Sequence, residues 1–125
     1  MPNYIDGFVF PLAKQDLDIY QAVAEQVAAI WKEHGALAYF EYTSEGDAVE
    51  GCPTFEETLP IKKDEIAVFG WITFSSKASK DEVFNKVAND SRMQALVAPI
   101  MQPNNPVFDP KRMVYGSFKP LIQSD

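Results

Sequence analysis

Asp6 is the polar residue whose setting demands most explanation. It stands between Tyr4 and Phe8 in a run, Tyr4 to Leu12, that alternates with the period of a β-strand. A carboxylate among aromatic side chains costs free energy unless it is paired or hydrogen-bonded. One reading makes Asp6 a pocket acid, base or ligand anchor; the other makes it half of a structural ion pair or an interface contact. Glu41 shares a strand face with Tyr39 and could join the same pocket, since two carboxylates can do acid–base work. A strand glutamate also serves as an edge charge that blocks unwanted pairing. Phe69 and Trp71 offer flat rings, either to stack on a ligand or to pack at a dimer interface. Arg112 and Tyr115 lie on the last strand-like run and are expected beside Asp6. These seven residues form the candidate pocket, and none has an assigned catalytic role.

Other chemistry finds little support. His34, the one histidine, falls in the last turn of a predicted helix, where the helix dipole favours a cation. A lone histidine without a cysteine cluster argues against zinc and against an axial haem ligand. Cys52 has acids at Glu50, Glu56 and Glu57 around it, which oppose a reactive thiolate. The chain has no phosphate-binding glycine loop and no serine elbow. No metal or cofactor is expected. The net charge of −7 over 125 residues argues against nucleic acid and against an anionic membrane surface. No apolar run is long enough for a membrane span. Met1-Pro2-Asn3 lacks the plan of a signal peptide, and the single cysteine suits a reducing cytoplasm.

The elements that must position these residues read in the order strand, helix, strand, strand, helix, strand. Leu17, Tyr20, Val23, Ala24, Val27, Ile30 and Trp31 make one apolar stripe, with Asp16 as N-cap or first-turn acid and Gly35 as terminator. Ala36 to Thr43 reads as a strand, 44 to 54 as a polar loop, and Phe55 to Pro60 as irregular or a short helical turn. Glu65 to Phe74 is apolar on both faces, so layers must cover it on both sides. Ser79 with Glu82 reads as a capping box opening the next helix, which Asn89-Asp90-Ser91 interrupts. Arg112 to Phe118 is the last strand.

One domain, 1–125, with a ferredoxin-like α+β fold accounts for this order: a four-stranded sheet in the order 4-1-3-2, helices on one face, strands one and three adjacent and parallel. Ile66, Val68, Ile72 and Phe74 are expected to face the helices, with Gly70 letting a helix come close. Phe69 and Trp71 should face away, together with the aromatic side of strand one. A bare aromatic sheet face exceeds what monomers usually expose, so a homodimer packed sheet to sheet is expected.

The segments Tyr4-Ile5-Asp6-Gly7-Phe8, Val68-Phe69-Gly70-Trp71-Ile72, Asn89-Asp90-Ser91-Arg92-Met93 and Phe108-Asp109-Pro110-Lys111-Arg112-Met113-Val114-Tyr115-Gly116-Ser117-Phe118 resemble the YbaA-like family of small uncharacterised bacterial proteins, in the dimeric α+β barrel superfamily. The resemblance spans about residues 3 to 118. Ser117 stands where a second glycine is expected, and the segment Pro103 to Pro106 is long. The resemblance implies a dimeric barrel and no activity. Three functions remain open: a dimer binding a small apolar or aromatic ligand between its sheets, a cofactor-independent oxygenase or isomerase, and a structural or stress-related interaction module. A cavity of a few hundred Å3 (roughly) would favour the first two.

Overall fold

The computed structural model describes residues 3–124; Met1 and Pro2, part of the N-terminal reading, and Asp125 lie outside them. The chain forms β1 (Tyr4–Ala13), α1 (Leu17–Glu33), β2 (Ala38–Thr43), α2 (Phe55–Thr58), β3 (Glu65–Phe74), α3 (Lys77–Ala88), α4 (Ser91–Val97) and β4 (Val114–Phe118). The sheet order β2-β3-β1-β4 is the expected one. The expected direction of one pair is not. β1 and β3 run antiparallel, from Tyr4 opposite Phe74 to Ala13 opposite Glu65. The crossover through α1 makes β1 and β2 the parallel pair. β3 runs antiparallel to β2 and slots between the two, so it opposes both.

Local chemistry sets the element ends. Gly35 follows α1 at φ +122, a conformation that L side chains rarely adopt. The expected cap at Ser79 moves three residues back. Ser76 accepts the Ser79 N–H at 3.0 Å, which places Ser79 inside the first turn of α3. A capping box forms instead at α2, where Thr54 and Glu57 bond reciprocally. The break at Asn89-Asp90-Ser91 lies where expected, between α3 and α4.

The helix-facing side of the sheet carries the main core. Val68, Ile72 and Phe74 of β3 pack there with Val83 and Val87 of α3, as the period of β3 predicts. Phe8, Phe10 and Leu12 of β1 lie in the same core. The aromatic side of β1 therefore faces the helices, not the open face. Phe69 and Trp71 do face away, beside Phe40 and Tyr42 of β2, with Tyr42 stacked on Trp71 at 5.5 Å. Phe40, Tyr42, Phe69, Val114 and Phe118 stay exposed on that open face. One end of it is covered from within the chain: Leu59, just past α2, packs on Val9 and Ala67. Gly70 faces the helices, but no helix occupies the space it leaves. A Cβ there would collide with the Phe40 carbonyl oxygen and stand 2.8 Å from the Phe8 ring and 2.9 Å from Glu41 Cγ.

Candidate functional site

Glu41 is held by the helix-facing side of β2, between Gly70 on the neighbouring strand and α1 above. The Tyr20 hydroxyl, reaching down from α1, donates to its Oε1 at 2.7 Å. The Tyr39 hydroxyl, two residues away on the same strand face, donates to Oε2 at 3.2 Å. Burial raises the Glu41 pKa, and the two hydrogen bonds oppose that rise. Burial, and then the nearby carboxylate, push both tyrosines well above the ordinary phenol range, so they remain donors.

This trio lines a cavity of about 290 Å3 between the sheet and the helical layer. Phe8 and Ile72 belong to its floor, and α1 contributes Val27 and Trp31. The connection after α4 closes another side. Phe108 N–H bonds the Ile100 carbonyl at 2.9 Å, and the Phe108 ring meets Phe10 edge-on at 4.9 Å. Tyr115, half exposed, also borders the cavity. Tyr20, Tyr39 and Glu41 border a second, more open groove between α1 and β2, so the carboxylate stands where the inner cavity meets the outside. An apolar chamber of this size with one carboxylate and a few hydroxyls suits a small apolar molecule with a polar group.

The seven candidate residues do not form one site. Tyr39, Glu41 and Tyr115 come together around the cavity. Phe69 and Trp71 lie on the opposite sheet face. Arg112 does not reach Asp6: β4 pairs Asp6 with Ser117, while Arg112 precedes the strand and lies near the far end of β1. There it grips Glu65 with two bonds of 2.8 and 2.9 Å. Asp6 faces the helices and is fully buried. Its Oδ1 accepts the Ser117 hydroxyl at 2.7 Å and lies 3.4 Å from Lys80 Nζ of α3. Ser117, where glycine was the expectation, thus supplies the hydroxyl that joins Lys80 and Asp6, since Lys80 also donates to it at 2.7 Å.

Two residues here carried an overlooked signal. Lys80 shares a helical stripe with Phe84 and Val87, and a lysine at such a position implies a buried acid. Tyr20 lies on the inward stripe of α1, where its hydroxyl needs a partner. His34 differs in another way: it caps α1 but bonds Asp90 through Nε2 at 2.8 Å. Asp90 caps α4 through the Arg92 N–H, and Arg92 pairs with both Asp90 and Glu33. Glu33, His34 and Asp90 could present ligand atoms to a cation within 4.8 Å of one another, but the Arg92 guanidinium already bridges the carboxylates. The cluster works as a clasp between α1 and α4.

A four-stranded antiparallel sheet with helices on one face and aromatic side chains on the other defines a ferredoxin-like α+β protein. The chain belongs to the family described as proteins of unknown function, DUF1428, whose model matches residues 3–109. It is 33% identical over 121 residues to the uncharacterised protein YbaA of Escherichia coli K12, covering 96% of this chain and 97% of the relative. YbaA of Shigella flexneri matches to the same extent. The resemblance read from the motifs is therefore borne out. Among solved structures, a nipsnap family protein of unknown function from Agrobacterium tumefaciens superposes with TM-score 0.59 at 16% identity, over 94% of this chain and 87% of that one. A dimeric ferredoxin-like protein from an uncultured marine organism superposes with TM-score 0.54 at 10% identity, over 100% and 99%. These two likenesses concern the fold. Among the described residues, no helix is long and apolar enough to cross a membrane.

Proposed function

We propose that the protein is a cytoplasmic homodimer in which each chain binds a small apolar or aromatic molecule between its sheet and its helices. The observation that carries this reading is the 290 Å3 cavity with Glu41 at its wall. It moves the ligand from the space between two sheets to the helix side of each. Support for the dimer comes from the exposed aromatic face and from a fold neighbour described as dimeric. The net charge of −7 supports a partner other than nucleic acid, and the exposed, free Cys52 suits a reducing compartment. A cavity with lining groups that can still hydrogen-bond weighs against a purely structural module.

Calorimetric titration with 2-naphthol tests the binding. One site per chain is expected, and Ala24→Phe, which puts a ring into the cavity, should remove it while leaving the thermal melt cooperative. No heat of binding in the unaltered chain, or full binding in the filled variant, would contradict the reading. The enzymatic alternative draws on one specific observation. Glu41 has its pKa raised by burial in an apolar setting, which suits a carboxyl that exchanges a proton with a bound molecule.

A further inference from the structure

Three carboxylates drawn into this fold each face a cation. Asp6 has Lys80 Nζ at 3.4 Å, Glu65 has Arg112 at 2.8 Å, and Asp90 has Arg92 at 2.6 Å. Glu41 breaks that pattern. It takes part in no ion pair among the described residues. Its two hydrogen bonds come from the neutral phenols of Tyr20 and Tyr39, one on each oxygen. A carboxylate has about four lone-pair sites, so each oxygen can still accept from the cavity side.

The walls point the same way. Among the described residues, no lysine, arginine or histidine lines the inner cavity or the groove outside it. The inner cavity instead presents the rings of Phe8, Phe10, Tyr20, Trp31, Tyr39 and Phe108. Ring faces are the negative end of the aromatic quadrupole and attract a cation. The outer groove adds two exposed carboxylates, Glu25 and Glu45. The net charge of −7 raises the local concentration of cations around them. An anion entering here would meet repulsion with no counter-charge, and a neutral hydroxyl would leave the Glu41 charge uncompensated.

We infer that the ligand is an amine on an apolar or aromatic body: the body fills the inner cavity, and its ammonium pairs with Glu41 where the cavity meets the groove that carries Glu25 and Glu45. This rests on the ligand-binding reading above and names its ligand class. An ammonium has three donors, so one can meet Glu41 while the others stay turned toward the open groove.

Three probes share a ring system and differ in charge: naphthalen-2-ylmethanamine as the cation, naphthalen-2-ylmethanol as the neutral isostere and 2-naphthoate as the anion. Each is titrated calorimetrically into the intact chain at neutral pH. The amine should bind about tenfold tighter than the alcohol, the gain of a charge-assisted hydrogen bond over a neutral one, and the naphthoate should bind weakest. Glu41→Gln should bring amine and alcohol to the same affinity, and Glu41→Asp should restore part of the difference. Replacing the two exposed acids, Glu25→Gln with Glu45→Gln, should weaken the amine less than Glu41→Gln does. Equal affinities for amine and alcohol in the unaltered chain would overturn the inference and leave the ligand reading standing. So would an amine advantage that survives Glu41→Gln, or one lost entirely with Glu25 and Glu45, because either result would reduce it to the general pull of an acidic surface. Failure of all three probes to bind would overturn both.

Discussion

Glu41 couples the cavity to pH. Its pKa in the folded chain is raised from the ordinary 4.5 by burial, and unfolding returns it to that value. Between those two values the folded chain holds more protons than the unfolded one, so this residue makes stability fall as pH rises through the window. Glu41→Gln removes the titration. Urea midpoints measured from about pH 4 to about pH 8 should show a flatter profile for the variant, with the variant gaining on the parent toward the upper end. Identical pH slopes would mean that Glu41 is not desolvated. Asp6 has a different lesson at this scale. Its burial and its need for a partner follow from its place in a strand among aromatics. The identity of the partner does not, because Lys80 and Ser117 are 74 and 111 positions away by the numbering. The assignment of Arg112 failed on register: Ser117, five residues further on, stands opposite Asp6, while Arg112 precedes β4 and lies toward the other end of β1.

At the scale of elements, strand alternation tells which residues share a face but not which face meets the helices. β3 resolved this through its aliphatic side, which matched the stripes of α1 and α3. β1 did not, because this protein has aromatic side chains on both faces of the sheet, and matching rings to rings sent Phe8 and Asp6 the wrong way. Gly70 was legible as a position needing space, though the space serves Phe8 and Glu41 and not a helix. A side chain there must push against the Phe40 carbonyl, part of the paired β2 strand, which cannot swing aside as a flexible side chain would. Gly70→Val should cost at least the roughly 1–3 kcal/mol typical of overpacking. Thermal melting should show the loss, and sedimentation at a temperature where the variant is folded should show an unchanged association state. A variant that melts like the parent would contradict this packing.

For the whole molecule, the strand order and the one-sided helical layer were readable because each element has a clean period and clear ends. The cavity was not readable. It arises where the helices, the connection after α4 and all four strands fail to fill the space between them, and no single segment encodes that gap. The open face gives the whole-molecule prediction. Trp71 sits at the centre of the ring cluster, with Phe40, Tyr42 and Phe69 around it. If two such faces pack together, Trp71→Ala should weaken the dimer by about 2–4 kcal/mol, or thirtyfold or more. Sedimentation equilibrium of the parent and the variant measures it directly, and a parent that is monomeric at micromolar concentration would contradict the homodimer.

The central claim is that a ligand lies between sheet and helices, with its polar group at Glu41. The most direct measurement is a crystal structure of the chain grown with 2-naphthol. The account predicts density for the naphthol ring over Phe8 in the cavity beneath α1, with its hydroxyl donating to Glu41. Density lying instead against Trp71 and Phe69 on the open face, or a cavity closed by its own side chains with no naphthol in it, would contradict the account.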